Sequence, residues 1–354
     1  MLKIAIRADG GVGIGMGHVM RCLSLARAFE KKGHEVYFFS KLIVGIDVIE
    51  REGFQVFRLN DMELETEINV IINLLKKYNI NILVIDSYHV TEKYLLSLKQ
   101  QVDKLVYIDD ENKCLFPADV VVNGNLTAEY LGYRKYDYNQ LLLLGPQYNL
   151  IREEFKDLPS RIIKKTVEFV MITTGGSDSF NITIKLLDML LKVDCFSNVN
   201  FNVLVGSGFT NVEELVDLSK RNPRIRLFSN QSVNYYDFTE IKYSSVPDLM
   251  LNSDIAISAG GSTLYELAAC GTPTLSFVLA ENQRFLVSKM SELGYVIHLG
   301  WHNELDDKLL VTSLNLLIDD FDKRIEMSRK CQGLIDAWGT ERIIKELTEG
   351  YCEF

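Results

Sequence analysis

KIAIRADGGVGIGMGHVMRCLSLARAFEKKG, residues 3–33, decides the fold. It begins as a short apolar run with β-branched residues, passes through a loop with five glycines between residues 10 and 17, and continues with helical spacing until Gly33 closes it. Strand, glycine-rich loop and helix in that order open a βα unit on a parallel sheet. Such loops often hold phosphate, so two fingerprints are tested first. A dinucleotide loop needs G-x-G-x-x-G, but starting from Gly11, Gly13 or Gly15 the sixth position is Met16, His18 or Met20. The second strand ends in Ser40-Lys41, without the acidic residue that would bind an adenosine ribose, and no Gly-Lys-Ser/Thr follows the glycines. Nicotinamide and ATP chemistry both drop out.

The same alternation runs outward from this unit to the end of the chain. EVYFFS, QVFRL, ILVIDSY, KLVYIDD, DVVVNG and LLLLG read as further strands in the first half. EFVMITTGG, NFNVLVGSG, IRLFS, DIAISAGG and PTLSFVL restart the rhythm in the second. Between them GPQYNLIREEFKDLPSRIIKK is charged, contains proline and carries no strand. With 354 residues, two domains are expected, 1–150 and 151–354, with a cleft between them as the default site. Residues from about Asp307 onward read as helices, and 228–245 reads as an excursion from the sheet.

A net charge of −10 gives no basic surface for nucleic acid. The start lacks an apolar signal core and no apolar run approaches the roughly 20 residues that span a bilayer, so a soluble, cytoplasmic protein without membrane insertion is expected. The six cysteines form no CxxC pair, and His298 and His302 flank Gly300 in a strand-like setting, so neither a metal nor another cofactor is expected. A monomer is the expected state.

His18 stands where the opening loop becomes a helix. The partial positive charge of a helix start disfavours imidazolium, so a neutral ring able to accept a proton is expected there, as a general base. The alternatives are a histidine that only caps or packs the helix, and a nucleophilic dyad with Cys22 four residues on, although Cys22 lies on the apolar face with Val19, Leu23 and Ala26. In the second half TTGGSDSFNITIK and SAGGSTLYELAACGTP both turn from strand to helix through Gly-Gly-Ser. Backbone amides and small hydroxyls there suit a diphosphate, and Glu266, one turn further, suits a ribose diol. The second half thus reads as an anion holder and the first as the part that acts on what the anion carries.

Taken in order, IRADGG, IG and GHVMRCLSLA, then DSY (86–88), IDD (108–110), GPQYNLIREEF (145–155), GGSD (175–178), SAGGST with YE (258–266) and AENQ (280–283) resemble the UDP-2,4-diacetamido-2,4,6-trideoxy-β-L-altropyranose hydrolases of pseudaminic-acid biosynthesis. The resemblance covers most of the chain. It implies a GT-B-like α/β fold near MurG, two Rossmann-like domains with an interdomain cleft, and UDP on the C-terminal one. It further implies hydrolysis at C1 with inversion, without metal or cofactor, releasing UDP and a free sugar. His18 matches the histidine that activates water; Gly15, Gly17, Arg21, Tyr88, Arg152 and Asn282 match the sugar side. Gly175, Gly176, Ser177, Gly260, Gly261, Ser262, Thr263, Glu266 and Gln283 match the nucleotide side. A GT-B glycosyltransferase using a UDP-sugar donor and a non-catalytic sugar-nucleotide binder are the alternatives. The first would call for an apolar, basic acceptor surface, and no basic amphipathic helix stands in the first half.

Overall fold

The computed structural model describes residues 1–11, 14–60, 62–230 and 238–349. The chain forms two compact units, one running from Met1 to Glu153 and including the segment from Ala337, the other Glu154–Asp336. The first unit holds β1 (Lys3–Ala8), β2 (Glu35–Ser40), β3 (Gln55–Arg58), β4 (Ile82–Asp86), β5 (Lys104–Ile108), β6 (Val120–Asn123) and β7 (Leu141–Leu144). They pair in the order β3-β2-β1-β4-β5-β6-β7, every pair parallel.

Parallel strands are covered on both faces, which is why their sequences are apolar almost throughout. Alternation sorts them: Ile4, Ile6, Ile82, Val84 and Val106 join one core with Val19, Leu23, Ala26 and Phe29 of the helix Gly17–Lys31. Ala5, Leu83, Ile85, Leu105 and Tyr107 point the other way, onto Ile71, Leu75, Leu95 and Leu98. Gly33, at φ +79°, takes the left-handed turn that ends the helix.

The second unit repeats the plan with β8 (Phe169–Thr173), β9 (Asn200–Leu204), β10 (Ile225–Ser229), β11 (Ile241–Tyr243), β12 (Ile255–Ala259), β13 (Thr274–Val278) and β14 (Val296–Trp301). Their order is β11-β10-β9-β8-β12-β13-β14, again all parallel. Val170, Ile172, Phe201, Val203, Ile257 and Phe277 form the core on one face.

Three expectations need revision. The stretch 228–245 is not a single excursion: Phe228 and Ser229 complete β10 and Ile241–Tyr243 is an edge strand, while 231–237 lie outside the described residues. VIHLGW, read only as a strand-like setting for His298 and His302 and not counted among the second-half strands, is the other edge strand, β14; Gly300 and partial exposure blur its apolar pattern. The terminal helix Gly339–Thr348, expected with the second domain, leaves that half and packs in the first unit. There Ile343, Ile344 and Leu347 complete the core under Gly17–Lys31. Gly339 permits this, since a Cβ there would lie 2.3 Å from Asn149 O.

Candidate active site

In each sheet the connections leave in opposite directions from two adjacent strands, β1 and β4 in the first unit, β8 and β12 in the second. Ligands of doubly wound sheets bind beyond the carboxyl ends of such a strand pair. The candidate residues gather at both places.

In the first unit Ala8, the last residue of β1, stands opposite Asp86, the last of β4. The loop after β1 is pinned at its base: a Cβ on Gly10 would lie 2.7 Å from Val19 Cγ2, and one on Gly45 2.8 Å from Gly10 O. Gly11 and Gly15 exchange backbone hydrogen bonds of 3.0 and 2.9 Å, and Gly15 sits at φ +73°. Gly15 and Gly17 are exposed, and a Cβ on either would meet nothing within 4 Å among the described residues.

His18 follows and is buried. Its Nδ1 lies 2.6 Å from Asp86 Oδ1. A carboxylate only accepts, so Nδ1 donates to Asp86, and any acceptor lone pair of the ring is then on Nε2, which makes no hydrogen bond among the described residues. The carboxylate, rather than the helix start, therefore fixes the tautomer and orientation of the ring. Tyr88 meets the ring edge-on, with centroids 4.6 Å apart.

Arg21 lies between two carboxylates. Its Nε and Nη2 donate to Asp86 at 2.6 Å each, and its Nη1 and Nη2 donate to Asp110 at 2.7 and 2.9 Å. Asn125 Nδ2 and Tyr88 OH also donate to Asp110, at 2.7 and 2.8 Å. Burial alone would raise the Asp86 carboxyl, but the Arg21 guanidinium and His18 hold it well below the usual carboxylate range. Asp110 is likewise lowered, burial being outweighed by Arg21. Burial and the neighbouring Asp86 push the Cys22 thiol well up, and its Sγ lies 3.5 Å from Asp86 Oδ2. A protonated, enclosed thiol is a poor nucleophile, so the dyad with His18 is set aside.

His18, Arg21 and Tyr88 are thus brought together with Gly15 and Gly17 beside them. Arg152 is half-buried near the end of the first segment. Asp86, Asp110 and Asn125 are not among the residues expected. The available signal is a polar side chain at or just beyond a strand end, in ILVID, KLVYIDD and DVVVNGN.

In the second unit the two glycine turns are neighbours: a Cβ on Gly175 would lie 3.8 Å from Thr263 Oγ1. They are not equivalent. Asp178 accepts the amides of Ile182 and Thr183 at 2.8 and 2.9 Å, so a carboxylate already occupies the start of the helix Ile182–Leu191. The expectation of free helix amides behind Gly175, Gly176 and Ser177 is corrected accordingly; Gly176 and Ser177 themselves remain exposed. At the other turn the amides of Gly261, Ser262 and Thr263 have no hydrogen-bond acceptor among the described residues. Gln283 braces this turn, accepting Leu279 N–H at 2.9 Å with its Nε2 3.8 Å from a Cβ placed on Gly261. Glu266 is half-buried one turn on, and Asn282 is exposed at the start of the helix Glu281–Glu292. Among the described residues no group of three His, Cys, Asp or Glu side chains could hold a metal, and no helix is long and apolar enough to cross a membrane.

No family model matches the chain. It is 32% identical over 296 residues to an uncharacterized protein of Methanocaldococcus jannaschii, an alignment covering 80% of this chain but 57% of that relative's length. It is 23% identical to the spore coat polysaccharide biosynthesis protein SpsG of Bacillus subtilis across 99% of both chains. Its identity to the UDP-2,4-diacetamido-2,4,6-trideoxy-beta-L-altropyranose hydrolase of Campylobacter jejuni is 25%, covering 84% of this chain and 98% of that one. Among solved structures, MurG of Acinetobacter baumannii aligns over 99% of this chain and 100% of its own with a TM-score of 0.68 at 11% identity. A UDP co-structure of S. aureus MnaA aligns over 99% and 97% with a TM-score of 0.61 at 13% identity. The chain is a relative of the UDP-2,4-diacetamido-2,4,6-trideoxy-beta-L-altropyranose hydrolases, built on the two-domain GT-B fold of MurG.

Proposed function

We propose that this protein hydrolyses a UDP-linked 2,4-diacetamido-2,4,6-trideoxy sugar at C1 with inversion, in a route to a nonulosonic acid. The observation that carries the reading is the pairing of His18 Nδ1 with the buried Asp86. It leaves Nε2 as a proton acceptor on the residue that follows the exposed Gly17. His18 Nε2 takes a proton from water as its oxygen attacks C1; the bond from C1 to the diphosphate oxygen breaks and its electron pair leaves with UDP. Asp86 stays ionised and stabilises the imidazolium, as a buried carboxylate does in other histidine-based sites. General-base assistance of this kind contributes about 10² to 10⁴ in rate.

The Gly261–Thr263 amides are the proposed seat of the diphosphate, with Glu266 toward the ribose. Tyr88 and Asn282 are proposed on the sugar side. The chain needs no metal in this scheme, because the charge on the leaving group meets backbone amides.

The test is NMR of the purified protein with UDP-2,4-diacetamido-2,4,6-trideoxy-β-L-altropyranose, without acceptor or added metal. Release of UDP and of the inverted anomer is expected, with His18→Ala slowing turnover by about 10² to 10⁴ while UDP affinity is kept. Full activity of His18→Ala would remove the base assignment. Turnover only when a sugar or lipid acceptor is supplied would make the protein a glycosyltransferase.

A further inference from the structure

The cluster around His18 has a charge balance that bears on which sugars it admits. Arg21 is the only cation that hydrogen-bonds to Asp86 or Asp110 among the described residues, and it makes four hydrogen bonds to these two carboxylates. One guanidinium facing two carboxylates leaves a formal charge of −1 before His18 is counted. Asp86 is enclosed, with 1% of its side chain exposed, whereas the Asp110 side chain is 16% exposed and reaches the surface. Tyr88 ties Asp110 to the proposed base, since its hydroxyl donates to Asp110 at 2.8 Å while its ring meets His18 edge-on. The surface carboxylate therefore stands one side chain away from His18.

An arginine near a sugar-nucleotide site is commonly read as an anion receptor. Here its planar fork is already filled, so it has little left with which to receive a phosphate or a sugar carboxylate. A Cβ on Gly15 or Gly17, in the turn that precedes His18, would meet nothing within 4 Å among the described residues, so no side-chain bulk crowds that side. We propose that Asp110, paired with Arg21, is a specificity-determining residue that excludes acidic sugars, so that the first unit accepts neutral amido-sugars and rejects uronic or otherwise carboxylated ones. The proposal rests on the sugar-nucleotide reading above, but not on turnover.

Calorimetric titration of the full chain with UDP, UDP-N-acetylglucosamine and UDP-N-acetylglucosaminuronic acid tests it, because the two sugars differ only in a hydroxymethyl group against a carboxylate. The acid is expected to bind about 10²-fold more weakly than the neutral sugar, the size that juxtaposed like charges give. In Asp110→Asn that gap should narrow at least tenfold. Tyr88→Phe, which removes the hydroxyl and keeps every charge, should retain the gap. Equal affinities for both sugars in the wild-type protein, or a gap that closes in Tyr88→Phe but persists in Asp110→Asn, would overturn the proposal. Absence of binding by UDP itself would instead bring down the sugar-nucleotide reading, and this selectivity with it.

Discussion

His18 Nδ1 and Asp86 Oδ1 lie 2.6 Å apart although 68 residues separate them in the chain. The contact exists because β1 and β4 are neighbours in register, so that their carboxyl ends deliver a histidine from the first turn of the helix Gly17–Lys31 and a strand-terminal aspartate to one point. Asp86→Asn tests its chemical meaning. An asparagine amide can donate to Nδ1, which would move the imidazole proton to Nε2 and abolish the base without emptying the space. Turnover is expected to fall by about 10² to 10⁴, with UDP affinity unchanged. A variant that keeps wild-type turnover would show the pair to be structural.

The same network predicts an acid-sensitive first unit. Asp86 and Asp110 have depressed carboxyl values in the folded chain, burial being overcome by Arg21, so on acidification the unfolded chain takes up protons first. The stability they contribute is complete above the ordinary carboxylate value of about 4 and is lost as pH falls below it toward the folded values. Urea midpoints measured between about pH 6 and pH 2.5 should therefore drop more steeply in the wild-type protein than in Asp110→Asn. Parallel slopes would contradict the assignment.

Much of this is legible in the sequence. Alternation of apolar runs and helices marks the parallel α/β plan, and the failed phosphate fingerprints direct attention to His18. What stays hidden is non-local. Nothing in ILVID marks Asp86 as the partner of a loop closed 68 residues earlier, and nothing in KLVYIDD separates Asp110, bound to Arg21, from Asp109, which accepts Tyr133 OH. The terminal helix is misplaced by sequence for the same reason: Ile343, Ile344 and Leu347 define an apolar face, but not the sheet that it covers. At the second-half turns, equal Gly-Gly-Ser signals conceal unequal chemistry, because the carboxylate that fills one helix start is Asp178, only one residue beyond Ser177.

Two adjacent glycines separate folding from binding at the other turn. A Cβ on Gly260 would lie 2.2 Å from Val287 Cγ2, so Gly260→Ala forces the helix Glu281–Glu292 away and should cost about 1–3 kcal/mol. Adding Val287→Ala should recover part of that loss relative to the sum of the two single changes. On Gly261 the nearest atom to a Cβ is Gln283 Nε2 at 3.8 Å, an ordinary contact. Gly261→Ala should therefore unfold within about 0.5 kcal/mol of wild type while weakening UDP. Unchanged UDP affinity in that variant would move the diphosphate elsewhere.

A second buried charge cluster holds the base of the loop that follows β1. Arg7 Nε donates to Glu67 Oε1 at 2.9 Å and its Nη1 to Asp9 Oδ2 at 2.6 Å, while Tyr94 OH donates to Glu67 at 2.9 Å and Lys41 Nζ pairs with Glu67 at 2.5 Å. Asp9 in turn accepts Lys41 N–H at 2.7 Å and Ser40 Oγ–H at 3.1 Å, tying the residue before Gly10 to the end of β2. Removing one member leaves a buried charge short of partners, and Glu67→Ala should cost about 3–5 kcal/mol. Tyr94→Phe removes one hydroxyl and should cost only about 1 kcal/mol. Because the penalty falls on a buried guanidinium left with Asp9 alone, Arg7→Met combined with Glu67→Met should cost less than the sum of the two single changes in urea unfolding. Simple additivity would mean that the two side chains are not energetically coupled. Faster hydrogen exchange at the amides of Gly11 and Gly15 in Glu67→Ala would tie the cluster to the loop itself, since those two amides close the turn that leads to His18.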